Sequence, residues 1–308
     1  VLIALPSLFG SGGQVLALIL ITLVMSLPGT SLAIGFNALF AEVVPEEWRA
    51  EVVGKRNALL AVSMTVATLL SGKLLDWIAF PLNYQVVFGL GALGAALSTY
   101  NLARLQAGQP AGPATPVASA WRSLARFDLL RGRYGWFLAA YLLFYTFQYT
   151  CLPLFPLVYV NSLKLSDGMI SLGSGLFYIA MFLVSLRLNS LATRFGHRRL
   201  LAVGGVAFAS YPFFLGLARG PALYWVAAAS GGMAWALVSA SMLNRLLDRT
   251  PKEKRAAGMA FHNVVLSLGI LLGSLLGPLI GEALGAQEAV LVGAGLRLLA
   301  GLLMIAWG

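Results

Sequence analysis

A few polar side chains stand inside stretches that are otherwise apolar, and their spacing is what could do chemistry. Ser26, Thr30, Ala33 and Asn37 fall at i, i+4, i+7 and i+11, the interval that stacks side chains on one helical face. Tyr141, Tyr145 and Gln148 keep the same interval, and so do Trp235 and Ser239. Arg297 stands by itself midway along an apolar run. Hydroxyl, carboxamide, indole and guanidinium groups can recognise a solute through hydrogen bonds and charge. They form no nucleophile and base pair. His197 and His262 lie near the ends of apolar runs, no acid falls clearly at the middle of one, and Cys151 is the single cysteine, a small apolar filler. No catalytic set, metal set, internal disulfide or cofactor is therefore expected.

The elements that hold these residues are long. Apolar runs cover about 15–42, 57–79, 84–104, 135–160, 169–190, 200–218, 222–246, 257–281 and 288–307, with a fragment at Val1–Phe9. At 1.5 Å per helical residue each run suffices to cross a hydrocarbon core roughly 30 Å thick. Hydrophobic residues make up 59% of the 308, charged residues only 10%, and the mean hydropathy is +0.84. A soluble domain is about 25% charged, so the solvent here is lipid. Membrane barrels are built from alternating segments of about ten residues, and these runs are unbroken. The expectation is an all-α polytopic membrane protein with nine complete transmembrane helices and a piece of another. In that setting polar stripes either line a water-filled path or hydrogen-bond one helix to the next. Arg297, at a depth where a cation costs at least about 2.5 kcal/mol, either marks a functional site or snorkels or pairs structurally.

The net charge of +10 does not imply nucleic acid. Of the 21 basic residues, all but Lys73, Lys164, Arg219 and Arg297 lie in or beside the connections that follow the runs ending near 42, 104, 190 and 246. Basic excess on every second loop is the positive-inside pattern, which puts those loops in the cytoplasm. The longest of them, Gln106–Gly135, opens as a Pro/Ala/Gly linker and ends with Trp121, Phe127 and arginines suited to a headgroup surface. The run Leu268–Gly285 places glycines at 269, 273, 277, 281 and 285, one smooth face for close helix contact.

Two cytoplasmic loops repeat each other. At a constant offset of 206, Pro45, Glu47, Arg49, Ala50 and Asn57 match Pro251, Glu253, Arg255, Ala256 and Asn263, and Glu42 corresponds to Asp248. Each copy reads acid, six residues, arginine. Thr250 and Glu253 have capping-box spacing with Pro251 between, which restarts a helix after the loop. An exposed pair contributes about 0–1 kcal/mol, too little for stability alone to account for two copies. Duplicated halves are a recurrent way to build transporters.

These features resemble the major facilitator superfamily, whose two six-helix halves are parallel repeats. The segment Asn189–Leu201 is similar to the family's arginine-rich loop: Leu191, Ala192, Arg194, Gly196, Arg198 and Arg199 match, whereas Asn189, Thr193 and His197 depart from it. The resemblance implies an N-terminal half over 1–105 (the end of helix three through helix six), a linker over 106–134 and a C-terminal half over 135–308, with helices one and two preceding residue 1. It implies secondary transport of a small solute by alternating access, without enzymatic activity, in a multi-pass monomer of the inner (plasma) membrane, its partners being the substrate, a coupling proton or sodium ion and the lipid bilayer. The alternative readings are a membrane-embedded enzyme on lipid-linked substrates, disfavoured by short non-cytoplasmic loops with few acids, and a non-transporting membrane sensor or scaffold. Since the first and fourth helices of each half line the family's cavity, the candidate cavity residues are Thr30, Asn37, Tyr141, Tyr145, Gln148, Trp235 and Ser239, with Arg297 beside them. Glu42, Arg49, Arg194, Gly196, Arg198, Asp248 and Arg255 are the candidate cytoplasmic gating network.

Overall fold

The computed structural model describes residues 16, 20, 21, 24, 46–104, 133–249 and 255–307, and every regular element among them is helical. The chain divides into two compact units, Val1–Leu60 with Leu70–Ala114, and Ala61–Leu69 with Thr115–Gly308. Among the described residues eight segments are long and apolar enough to cross a membrane, and they coincide with eight of the nine expected spans. The ninth, 15–42, lies outside the described residues apart from isolated positions, and so do Thr30, Asn37 and Glu42.

The first two helices are α1 (Glu46–Trp77) and α2 (Leu82–Ala103). Most side chains of α2 are exposed, as expected of a helix whose apolar surface meets lipid on most sides. In the second unit α3 (Arg133–Cys151) is followed by the single turn α4 (Leu154–Leu157) and a π turn over Val158–Ser162. Then come α5 (Asp167–Ser185), α6 (Leu188–Ala207), α7 (Ser210–Leu217), α8 (Pro221–Arg249), α9 (Arg255–Leu284) and α10 (Ala286–Trp307). The Ser166 hydroxyl accepts from the Met169 amide at 3.3 Å and Asp167 occupies the first turn, which starts α5 with both a cap and a favourable charge. Gly285, at φ +92°, alone joins α9 to α10, a left-handed conformation that a glycine supplies without steric cost.

The arginine-rich segment differs from the expected loop. α5 stops at Ser185 rather than near 190, and Asn189–Leu201 is helical on both sides of one break at Gly196. That glycine takes φ +77° and ψ +153°, so a single residue absorbs the whole change of direction and its neighbours keep their helical bonds.

Packing within this unit depends on side chains that are missing. A Cβ on Gly273 or Gly277 would collide with the α3 backbone at Thr146–Thr150 and Thr150 respectively, one on Gly269 would strike the Tyr145 Cβ and crowd the Thr146 amide, and one on Gly281 would strike the Leu154 side chain. The glycine face of α9 thus lies directly on α3, where van der Waals contact between backbones replaces the hydrophobic drive that lipid removes. On another face of α9, Leu268, Leu271, Leu275 and Leu279 are exposed, the surface offered to hydrocarbon. Two apolar clusters fill the interior. One includes Phe137, Tyr141, Phe144, Leu201, Val238 and Met304; the other includes Leu154, Val158, Leu215, Tyr224 and Val290. Gln148 falls between the clusters along α3, and Arg297 falls between them along α10.

The two kinds of glycine should respond oppositely to a methyl group. Gly277→Ala should lower the melting temperature in detergent by the equivalent of about 1–3 kcal/mol of overpacking, because the Thr150 backbone cannot move aside. Gly295→Ala, which meets nothing within 4 Å, should leave it unchanged or raise it through helix propensity of up to about 1 kcal/mol. Equal melting temperatures for the two variants would refute the close α3–α9 contact.

Candidate functional site

The site begins with two prolines. Pro153 and Pro156 carry no amide hydrogen, so the Tyr149 and Leu152 carbonyls lose their helical donors, and α3 ends at Cys151. The last four carbonyls of a helix have no intrahelical donor, and the helix dipole places partial negative charge there. Here that end lies inside the span Tyr134–Ser162 rather than at its edge, where water would satisfy it. A cation answers it. Arg297, near the middle of the span Ala286–Ile305 and only 3% exposed, donates from Nη2 to the Gln148 carbonyl oxygen at 2.7 Å.

Aromatic rings complete the setting of the guanidinium. Its carbon lies 4.7 Å from the Phe208 ring centroid and 5.5 Å from that of Phe155. A hydrogen bond involving a charged group contributes about 1.5–3 kcal/mol and a desolvated cation–π contact about 0.5–2 kcal/mol. Together they match the roughly 2.5–3.5 kcal/mol that arginine costs at the centre of a membrane helix. Arg297 therefore stays in the bundle without a carboxylate; among the described residues none pairs with it. Two polar atoms remain unanswered, the Arg297 Nε–H and the Gln148 side-chain oxygen, each buried without a hydrogen-bond partner. Such a group costs about 1–3 kcal/mol when left alone.

Both residues border a cavity of about 350 Å³. Its walls include Gln148, Leu152 and Phe155 from the broken helix and its continuation, Ser174, Phe177 and Tyr178 from α5, Phe208 and Tyr211 around the α6–α7 junction, Trp235 from α8 and Arg297 from α10. Trp235 leans on Phe208 at 5.4 Å between centroids, and Phe155 on Tyr211 at 4.9 Å. The Tyr211 hydroxyl meets that of Tyr159 at 2.5 Å, which turns the polar end of that ring to a fixed partner. A mostly aromatic chamber with a few convergent polar groups is the usual form of a small-molecule site.

The family model described as Major Facilitator Superfamily matches residues 137–308, more than half of the chain and all of the wall residues named above. The chain belongs to the major facilitator superfamily. It is a multi-pass membrane transporter of the major facilitator type, and its family points to a transporter of small molecules rather than an enzyme. No curated protein matches the chain.

Against this family frame, the residues singled out by sequence separate into groups. Gln148, Trp235 and Arg297 converge on the chamber. Tyr141 and Tyr145 do not: they are buried in the apolar cluster, where the Tyr141 hydroxyl donates to the Met242 carbonyl at 3.2 Å and that of Tyr145 meets Met242 Sδ at 2.8 Å and His262 Nε2 at 2.9 Å. Helical spacing put them on the face of Gln148, but their hydroxyls are held by neighbouring helices. Ser239 turns its hydroxyl back to the Ala236 carbonyl, outside the chamber. In the candidate gating network, Arg194 is exposed and lies over the Phe195 ring, Gly196 makes the break in α6, and Arg198 donates to the Ile305 carbonyl at 3.2 Å, joining the start of one span to the last turns of α10. Arg49, Asp248 and Arg255 lie on helices whose side chains at those positions are outside the description.

Composition hid the remaining wall. Phe155, Phe177, Tyr178, Phe208 and Tyr211 read as ordinary apolar residues, and the signal that could have found them is the Leu152–Pro153–Leu154–Phe155–Pro156 stretch that breaks the helix beside them.

Gly196 offers a test free of packing effects. Nothing lies within 4 Å of a Cβ built there, yet its dihedrals belong to a region that is essentially glycine-only. Gly196→Ala should destabilise the protein by about 1–3 kcal/mol in thermal or denaturant unfolding. An unchanged midpoint would mean that the break in α6 is not required.

Proposed function

We propose that the chain is a secondary transporter that carries a small solute across the inner (plasma) membrane by alternating access. The halves over 1–105 and 135–308 would rock about a central path, and the aromatic chamber would hold the solute between movements. The observation that carries this reading is the convergence of Gln148, Trp235 and Arg297 on a chamber formed at an interrupted helix, at a depth where unsatisfied polar atoms would otherwise be excluded. Interrupted helices are where transporters of several folds gather their substrate contacts.

The duplicated loops would latch the cytoplasmic side. Glu42 with Arg49 and Asp248 with Arg255 would supply one acid and one base per half, and by the loop-charge pattern Arg194 and Arg198, on either side of the α6 break, would share that side. Pairs that form in one conformation and part in the other contribute to a switch even when each is worth little to stability.

Solute flux into proteoliposomes bearing the full chain tests both parts. Trp235→Ala should weaken transport about tenfold, the equivalent of about 1.4 kcal/mol of lost substrate contact, with membrane insertion intact. Arg255→Ala should lower the rate while leaving solute affinity close to that of the parent. Parental flux in both variants would remove the chamber and the latch from the mechanism.

A further inference from the structure

The chamber has a charge preference written into it. Its lining holds one full charge, the Arg297 guanidinium, and no Asp, Glu, Lys or His. Among the described residues that cation has no carboxylate partner; a backbone carbonyl, two aromatic faces and the Cys151 thiol surround it. Arg297 lines the cavity and is 3% exposed, and its buried Nε–H has no acceptor. In most buried ion pairs the counter-charge comes from the protein, whereas here the described walls leave that place to whatever enters.

We infer that the chamber binds an organic monoanion, a carboxylate attached to a flat apolar body, with the carboxylate on Arg297 and the body against the aromatic walls. This rests on the transporter reading above and names the substrate class for it. A planar carboxylate can take two parallel N–H groups from a guanidinium, which would answer the idle Nε–H together with an Nη donor. Phe155, Phe177, Tyr178, Phe208, Tyr211 and Trp235 supply flat surfaces for an unsaturated or ring-bearing body. One cation neutralises one negative charge, so a monoanion leaves the chamber neutral and a phosphate dianion leaves a buried excess. The unpartnered Gln148 oxygen accepts a hydrogen bond and so favours a body that also carries a hydroxyl or N–H near the carboxylate. A cationic solute would meet Arg297 as a like charge.

Three ring compounds of the same size separate the alternatives: benzoate, benzamide and benzylamine, with salicylate to add the neighbouring hydroxyl. Binding is read with the full chain in lipid nanodiscs by thermal stabilisation and by quenching of tryptophan fluorescence. Benzoate and salicylate should stabilise the protein, salicylate more strongly, and benzamide and benzylamine should not. Arg297→Gln should weaken benzoate at least tenfold and erase its advantage over benzamide, with Arg297→Lys intermediate. Whether or not Arg297→Gln leaves the bundle folded, the charge ranking in the parent protein stands as an independent test. Equal binding of benzamide, preference for benzylamine, absence of any benzoate effect, or benzoate affinity kept within twofold in Arg297→Gln each overturns the assignment. Flux in proteoliposomes distinguishes the two failures: transport of an amine or a neutral solute sinks the anion and leaves the transporter, whereas no flux of any solute sinks the transporter itself.

Discussion

The hydrogen bond from Arg297 to the Gln148 carbonyl reconciles two features that lipid would each reject by itself. A helix end in the hydrocarbon leaves carbonyls without donors, and an arginine at the same depth leaves a cation without water. Placed together they satisfy one another, with Phe155 and Phe208 covering the faces of the guanidinium. Pro153 and Pro156 interrupt the helix just past Gln148, and the Gln148 carbonyl beside that break accepts from the charge in α10. Cys151, the last residue of α3 and in contact with the guanidinium, fits against Gly293, one turn before Arg297, where a side chain would collide with its sulfur.

Rigid packing on either side keeps this arrangement from collapsing. The glycine face of α9 presses on the α3 backbone as far as Leu154, so the helix is held up to and past its break. Clusters around Tyr141 and Tyr224 close the bundle to both sides of Gln148 and Arg297. Between them the walls are aromatic and cannot fold inward without losing ring contacts such as Trp235 with Phe208. A chamber of about 350 Å³ therefore persists in a bundle that elsewhere brings helix backbones into contact.

Much of this was legible in the sequence, for reasons tied to particular residues. Eight of the nine expected spans could be read because lipid demands about twenty uninterrupted apolar residues, and that signal survives without tertiary information. Arg297 and Gln148 stood out because polar groups are rare at that depth. Tyr141 and Tyr145 were ambiguous because tyrosine fits a wet wall and a dry core equally well, and spacing does not reveal that their hydroxyls meet Met242 and His262. The arginine-rich segment read as a loop because its arginines fall in a connection between apolar runs and it is similar to the family's arginine-rich loop. The structure keeps it helical, since one glycine at positive φ makes the turn that a longer loop would otherwise make. The aromatic wall was invisible because phenylalanine in an apolar helix carries no mark of what it faces.

Cys151 being the sole cysteine makes one measurement unusually clean. In a Cys151→Ser background, Trp235→Cys in right-side-out and inside-out vesicles can be treated with a membrane-impermeant methanethiosulfonate. A chamber that water reaches alternately from the two sides predicts labelling from both, with added substrate slowing the reaction. A thiol that stays unlabelled from either side, while one placed at exposed Arg194 reacts readily, would show that position 235 lies in a sealed core and that the bundle has no transport path there.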